Sequence, residues 1–271
     1  MAYRAPRYSY VHAIRDVGAD AITLAFAAHA DFPVDNLIDD RAGTIFKFAA
    51  AEIGVTIDID LDPDATGTWE TGIDRIIVPA NHNLALIRIW EDDEDTFTAP
   101  WALTAGTAVT PGEQIDIEFA TASARRYIRL SISNNDQFYL PQLIFTKTAT
   151  LTVGPDLADS ADGYRANVTR LIQNTGLTPT VLHGPQQRVM EYSYAPIEGD
   201  DLTTMEALIA TVGMDKPFWV DPASFSATPA TDDPPIWMKF DDMPESRHTV
   251  LVPMSNAESK AFSLRLIESL D

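Results

Sequence analysis

Between Tyr127 and Ser133 the side chains alternate: Ile128, Leu130 and Ile132 fall on one side, and Tyr127, Arg129, Ser131 and Ser133 on the other. A period of two predicts a strand with one buried face. Asn134, Asn135 and Asp136 follow as a turn, because Asn and Asp accept left-handed backbone and bond their own main chain. The apolar run from Phe138 to Phe145 returns as a second strand, bulged or at an edge where Pro141 cannot donate to a ladder. The same alternation recurs at 54–61 (GVTIDIDL, with Thr56, Asp58 and Asp60 outward), at 84–90 (LALIRIW) and at 115–119 (IDIEF). Shorter apolar runs at 21–28 and 44–48 are further strands. About eight short strands joined by polar loops, with no clear helix, predict a β-sandwich over 1–148.

Residues 148–163 are rich in small residues, Asp and a Gly-Pro pair, and predict the connection between two domains. Beyond it the texture changes to β-rich α+β. In 188–194 (RVMEYSY) Met190, Tyr192 and Tyr194 share one face. Residues 201–212 form the one convincing amphipathic helix, with Leu202, Met205, Leu208, Ile209 and Val212 on one side. Asp200 or Asp201 is expected to cap it and Gly213 to end it. Strands are predicted at 217–221, 236–240, 248–252 and 261–267. The expected fold is therefore mainly β: a jelly-roll-like sandwich (1–148) and a β-rich domain with helix 201–212 (149–271).

Several of these pieces resemble discoidin-type (coagulation factor 5/8 C-type) domains. They are ARRYIRL at 124–130 with its turn and closing strand, PVDNLIDD at 33–40, GVTIDIDL at 54–61 and GIDRIIV at 72–78. The resemblance covers about residues 20–148 and lacks the family's "S-x-D-G-x-x-W" segment. It implies a jelly roll, and it implies a calcium near the loop holding Asp35, Asp39 and Asp40. The order of strand, helix and strands after residue 150, with PFWVD after the helix and FSLRLIE near the end, resembles tube-like and distal-tail domains of long-tailed bacteriophages. That resemblance implies a virion component, made in a host cytoplasm, that assembles with itself in a ring and with other tail proteins. Tyr3, Tyr8 and Tyr10 in an aromatic arm, and Trp219 and Trp237 on strands, are the expected interface anchors. The alternative is a carbohydrate-binding module protein, with a host-surface glycan as partner.

Composition narrows the chemistry. Nineteen Lys and Arg against 40 Asp and Glu give a net charge of −21, which argues against binding nucleic-acid backbones. With no cysteine, disulfides, thiolate zinc sites and cysteine nucleophiles are excluded. No window has the roughly 18 apolar residues of a membrane span, and the first residues lack a signal-peptide core. The run Glu91 to Asp95 is expected to be a solvated loop, since five carboxylates cannot all be packed inside. The five histidines (His12, His29, His82, His183 and His248) show no metal spacing, and hydrolase, P-loop and dinucleotide motifs are absent. The expectation is a protein without catalytic activity. A carboxylate-pair glycosidase stays open, because spacing along the chain says nothing of separation in space. Tyr192, Tyr194, Trp219 and Trp237 can serve as a sugar-stacking platform or as core.

Overall fold

The computed structural model describes residues 5–41, 43–50, 54–133, 137, 139–165, 168–170, 180–182, 186–214, 216–222, 234–242, 244–248 and 259–269. The chain divides into two compact units, residues 9–148 (with 271) and residues 1–8 with 149–270. Both are mainly β. Residues 5–8 were expected in the sandwich; they group instead with the second unit, and Arg7–Ser9 is taken into the large sheet.

The 9–148 unit is built on the alternating strand. Tyr127–Ser133 lies at the centre of a five-stranded antiparallel sheet, ordered Ile22–Leu24, Gly54–Asp60, Tyr127–Ser133, Leu86–Asp92, Trp101–Ala108. Register aligns the inward rows: Leu130 stands between Ile57 and Ile89, and Ile132 between Val55 and Ile87. A three-stranded sheet of Ile144–Thr146, Ile73–Val78 and Ile115–Ser123 shares one core with it, in which Ile57, Leu130, Ile76 and Phe145 are completely buried. The returning apolar run does break at Pro141. Tyr139–Leu140 pairs with Phe46–Lys47, whereas Ile144–Thr146 pairs with Ile73–Val78. The Asn134–Asp136 turn lies outside the described residues.

Two elements differ from expectation. Residues 21–28 form a strand only over Ile22–Leu24, and a short helix, Ala13–Val17, precedes it. The Nδ1 of His12 accepts the Arg15 amide at 3.2 Å and so caps that helix. Trp101–Ala108 is a strand with no sequence alternation, because it is the sheet's outer strand and few of its side chains meet the core.

In the second unit, one sheet runs in the order Thr148–Thr150, Arg7–Ser9, Phe218–Asp221, Ile236–Phe240, Ser259–Glu268, Gln187–Glu198, Asp156–Arg165, with Glu245–His248 also pairing on Ser259–Glu268. The stretch expected to be a connection is thus largely strand. Residues Asp156–Arg165 pair with Gln187–Glu198 as the outermost strand of that path, a place where small and acidic side chains can face water. The helix runs Gly199–Val212 and buries Leu202, Met205, Leu208 and Val212. Gly213, at φ 59°, ends it and donates its N–H to Ile209. Neither aspartate caps the start: the Asp201 carboxylate turns away and accepts the Thr152 and Val153 amides and the Thr152 hydroxyl. Burial would raise the Asp201 carboxyl, but these bonds hold it below the usual range.

Candidate functional site

The functional features of the 9–148 unit gather at one end of the five-stranded sheet. Register places Asp58 beside Arg129, and Asp60 beside Tyr127, on the face turned away from the core. Arg129 binds Asp58 with two bonds (Nε–Oδ1 2.6 Å, Nη2–Oδ2 2.7 Å), and Arg126 binds Asp60 likewise, both at 2.6 Å. Arg125 binds Asp93. Each guanidinium also lies beside an aromatic ring: Arg129 is 4.1 Å from the centre of Phe97, Arg126 is 4.8 Å from Tyr127, and Arg125 is 4.9 Å from Trp101. A forked guanidinium on a carboxylate is a planar, fixed array of donors and acceptors.

The supports are legible in the local bonding. The Glu91–Asp95 run is not wholly a solvated loop: Glu91 and Asp92 end the strand Leu86–Asp92, and only the residues after them turn. Glu91 and Asp92 are buried, because each caps backbone N–H groups that no strand satisfies. Glu91 accepts the Ser123 hydroxyl at 2.7 Å and the Ala124 and Arg125 amides, which fixes the turn carrying the arginines. Asp92 accepts the Asp93, Glu94 and Ala99 amides, and so sets the loop that carries Phe97. Phe97 is buried, with φ at 50°. A bulky residue in that region is strained, and the surrounding loop holds it over Arg129. Asp93, Glu94 and Asp95 face water, as the sequence predicts.

A recess of about 240 Å³ opens here, lined by Thr23, Asp58, Asp60, Asp95, Phe97 and Tyr127 among others. Trp101 is 61% exposed, a large apolar face offered to solvent. Burial would raise the Asp60 carboxyl, but its bonds to Arg126 and to the Asp62 amide outweigh it and hold it below the usual range. The Arg129 guanidinium is pushed up by its bonds to Asp58, and Arg126 by those to Asp60. Tyr127 is pushed up by burial and then by the Asp60 charge. The Arg126–Asp60 pair therefore persists across ordinary pH. Each guanidinium charge is already matched, while the forked pairs leave further N–H groups and carboxylate lone pairs unused by one another.

The predicted site residues fall elsewhere. Asp39 accepts the Thr44 hydroxyl and the Arg41 amide, and Asp40 accepts Arg15 at 3.1 and 3.2 Å and Gln142. Where the resemblance implies calcium, Arg15 supplies positive charge to Asp40. Among the described residues, no three His, Asp or Glu side chains are placed to share a metal ion, so Asp35, Asp39 and Asp40 do not converge. Tyr8 is buried in the second unit, its hydroxyl 2.5 Å from that of Tyr194. Trp219 and Trp237 are buried too, facing each other across two strands with centroids 5.1 Å apart. Tyr192 and Tyr194 are likewise core, so the aromatic platform of that strand is spent inside the fold. Tyr10 is half-buried in the 9–148 unit, and Tyr3 lies outside the described residues. Of the histidines, His82 is held through both nitrogens, Nε2 to the Glu113 carbonyl and Nδ1 to the Leu84 amide. His183 is outside the described residues.

No family model and no curated protein matches the chain. Among solved structures, it is similar to chitosan-binding module 1 of a chitosanase/glucanase from Paenibacillus sp. IK-5, at 18% identity and a TM-score of 0.39, over 52% of this chain and 99% of that one. It is also similar to the CBM32-1 and CBM32-2 domains of Clostridium perfringens ZmpB (13% identity, TM-score 0.40, 52% of this chain and 36% of that one). A third is a Clostridium perfringens CBM32 module in complex with GalNAc-β-1,3-galactose (15% identity, TM-score 0.39, 49% of this chain and 98% of that one). These are likenesses over about half of the chain, and at such scores they assign it no activity.

Proposed function

We propose that the 9–148 unit is a non-catalytic binding module for an uncharged glycan, seated at the sheet end that carries Trp101, Phe97 and Tyr127. The observation that carries this reading is the threefold arrangement of carboxylate, guanidinium and ring, with Trp101 open to solvent. A sugar presents an apolar C–H face and a rim of hydroxyls that both donate and accept. Rings suit the first, and fixed guanidinium–carboxylate pairs suit the second. Asp58, Asp60, Asp93 and Asp95 outnumber Arg125, Arg126 and Arg129, so the site repels uronic acids and sulfated sugars. Of the anchors expected for tail assembly, Tyr8, Trp219 and Trp237 are occupied inside the second unit.

Calorimetric titration with a panel of neutral and uronate-bearing oligosaccharides tests the reading. The neutral set is expected to bind and the uronates to fail. Trp101→Ala is expected to weaken binding about tenfold or more without loss of folding, because aromatic anchors dominate such contacts. Full affinity in Trp101→Ala, or a preference for uronates, overturns it.

A further inference from the structure

The same unit carries a second recess, of about 280 Å³, whose lining includes Ala13, Val17, Leu61, Trp69, Asp16 and Glu70. Its chemistry differs from that of the glycan site. No guanidinium lines it; Ala13, Val17, Leu61 and Trp69 share its wall with Thr68, and its two charged residues are both carboxylates. We infer that it is a binding site for a small organic ammonium cation, of the size and type of choline, held on Trp69 between Asp16 and Glu70.

Three observations carry this. The first is the ring. Trp69 is partly exposed, but its Nε1 is buried with no partner among the described residues, so the indole offers ring carbons to the recess and keeps its N–H away. Tryptophan is the strongest aromatic partner for a cation, and alkylated ammonium groups are its characteristic ligands.

The second is charge. Asp16 and Glu70 have side chains 46% and 42% exposed, and their local cations are poorly matched to them. Arg15 reaches Asp16 at 3.2 Å but also serves Asp40 with both oxygens. Lys147 stands 3.9 Å from Glu70 with half of its side chain in water, a distance and exposure at which pairing is weak. Arg15 and Lys147 thus answer three carboxylates, Asp16 and Glu70 on the rim and Asp40 beyond it, one more than they can neutralise. The field of Glu70 is felt nearby: the Tyr10 phenol is pushed up by burial and then by that charge.

The third is rigidity. Asp62 accepts the Thr66 amide and hydroxyl at 2.8 and 2.7 Å and the Gly67 amide at 2.8 Å, and Leu61 donates its N–H to the Arg126 carbonyl at 3.0 Å. The His12-capped helix Ala13–Val17 supplies Ala13, Asp16 and Val17 to the lining. Both segments are set before any ligand arrives, which lowers the entropic cost of binding.

The test is a titration of the full chain with choline chloride, followed through the five tryptophan indole N–H resonances, with 3,3-dimethylbutan-1-ol as the uncharged isostere. Trp69→Phe assigns the reporting resonance. Choline is expected to shift the Trp69 resonance saturably, and the isostere to bind about tenfold more weakly, the weight of one cation–ring contact. Glu70→Gln and Asp16→Asn, both at exposed positions, are expected to weaken choline severalfold and reduce its salt dependence. Trp101→Ala is expected to leave it unchanged, which separates this site from the glycan site. Equal affinity for the isostere, indifference to both carboxamide variants, or no saturable shift of Trp69 overturns the inference.

Discussion

Replacing Ile128 by Asp is expected to remove about 4 kcal/mol or more from the stability of the 9–148 unit. Ile128 is fully buried near the start of the central strand, so its loss forfeits roughly 2–3 kcal/mol of transfer free energy. The new carboxylate arrives without a partner in an apolar core, at a further cost of several kcal/mol unless it protonates. Register makes the position worse, since Glu91, itself a buried carboxylate, stands directly across from Ile128. Ile128→Val, which removes one methylene and adds no charge, is expected to cost only about 1 kcal/mol. Urea denaturation of the three proteins is the measurement. A loss below about 1 kcal/mol for the Asp variant would place this strand at the periphery of the fold.

Mild acid is expected to have the next largest effect, through His12. The ring is 3% exposed, its Nδ1 is taken by the Arg15 amide, and its Nε2 has no partner among the described residues. Burial, then the Arg15 charge, lower its pKa from 6.5 to about 3. Below pH 6.5 the unfolded chain therefore takes up a proton that the folded chain refuses. The stabilisation is fully present above pH 6.5 and is lost as pH falls toward 3, by up to about 1.4 kcal/mol per pH unit. His82, lowered by burial, acts in the same direction. Asp60 and Asp62, whose bonded carboxylates are held down, add their own loss only below about pH 4. The urea midpoint of wild type should fall steeply between pH 6.5 and 4.5. In His12→Asn, which keeps a capping acceptor but cannot charge, it should fall much less. Parallel slopes in the two proteins would refute the assignment to His12.

How much of this could be read from the chain depends on which physical rule dominates each stretch. The central strand is legible because burial on one face imposes a period of two, and the same holds for Gly54–Asp60 and for the helix with its Gly213 stop. Trp101–Ala108 and Asp156–Arg165 are not legible: both lie at the outer end of a sheet, so backbone pairing decides their conformation and no burial pattern marks them. The Glu91–Asp95 run reads as solvent-facing from its charge, but Glu91 and Asp92 are drawn inward by backbone amides that composition does not reveal. The guanidinium pairs are half visible. Asp58 and Asp60 point outward on one alternating strand, and Arg129 points outward on another, with Arg126 just before it. Opposite charges on two such strands are a signal, yet joining Asp58 to Arg129 requires the register, which only the folded sheet supplies. Tyr8, Trp219 and Trp237 mislead for a related reason. An aromatic residue on a strand looks the same whether its ring meets a partner or its own core, and here all three rings are buried.

The central claim is that the sheet end holding the three arginines is where a glycan docks. Residue-resolved amide and indole shifts of the full chain, recorded while a neutral oligosaccharide that binds by calorimetry is added, test it most directly. The account predicts saturable shifts concentrated at residues 58–60, 93–101 and 125–129, with Trp101 among the largest. Shifts confined to the second unit, or binding that leaves those three stretches unmoved, would contradict it.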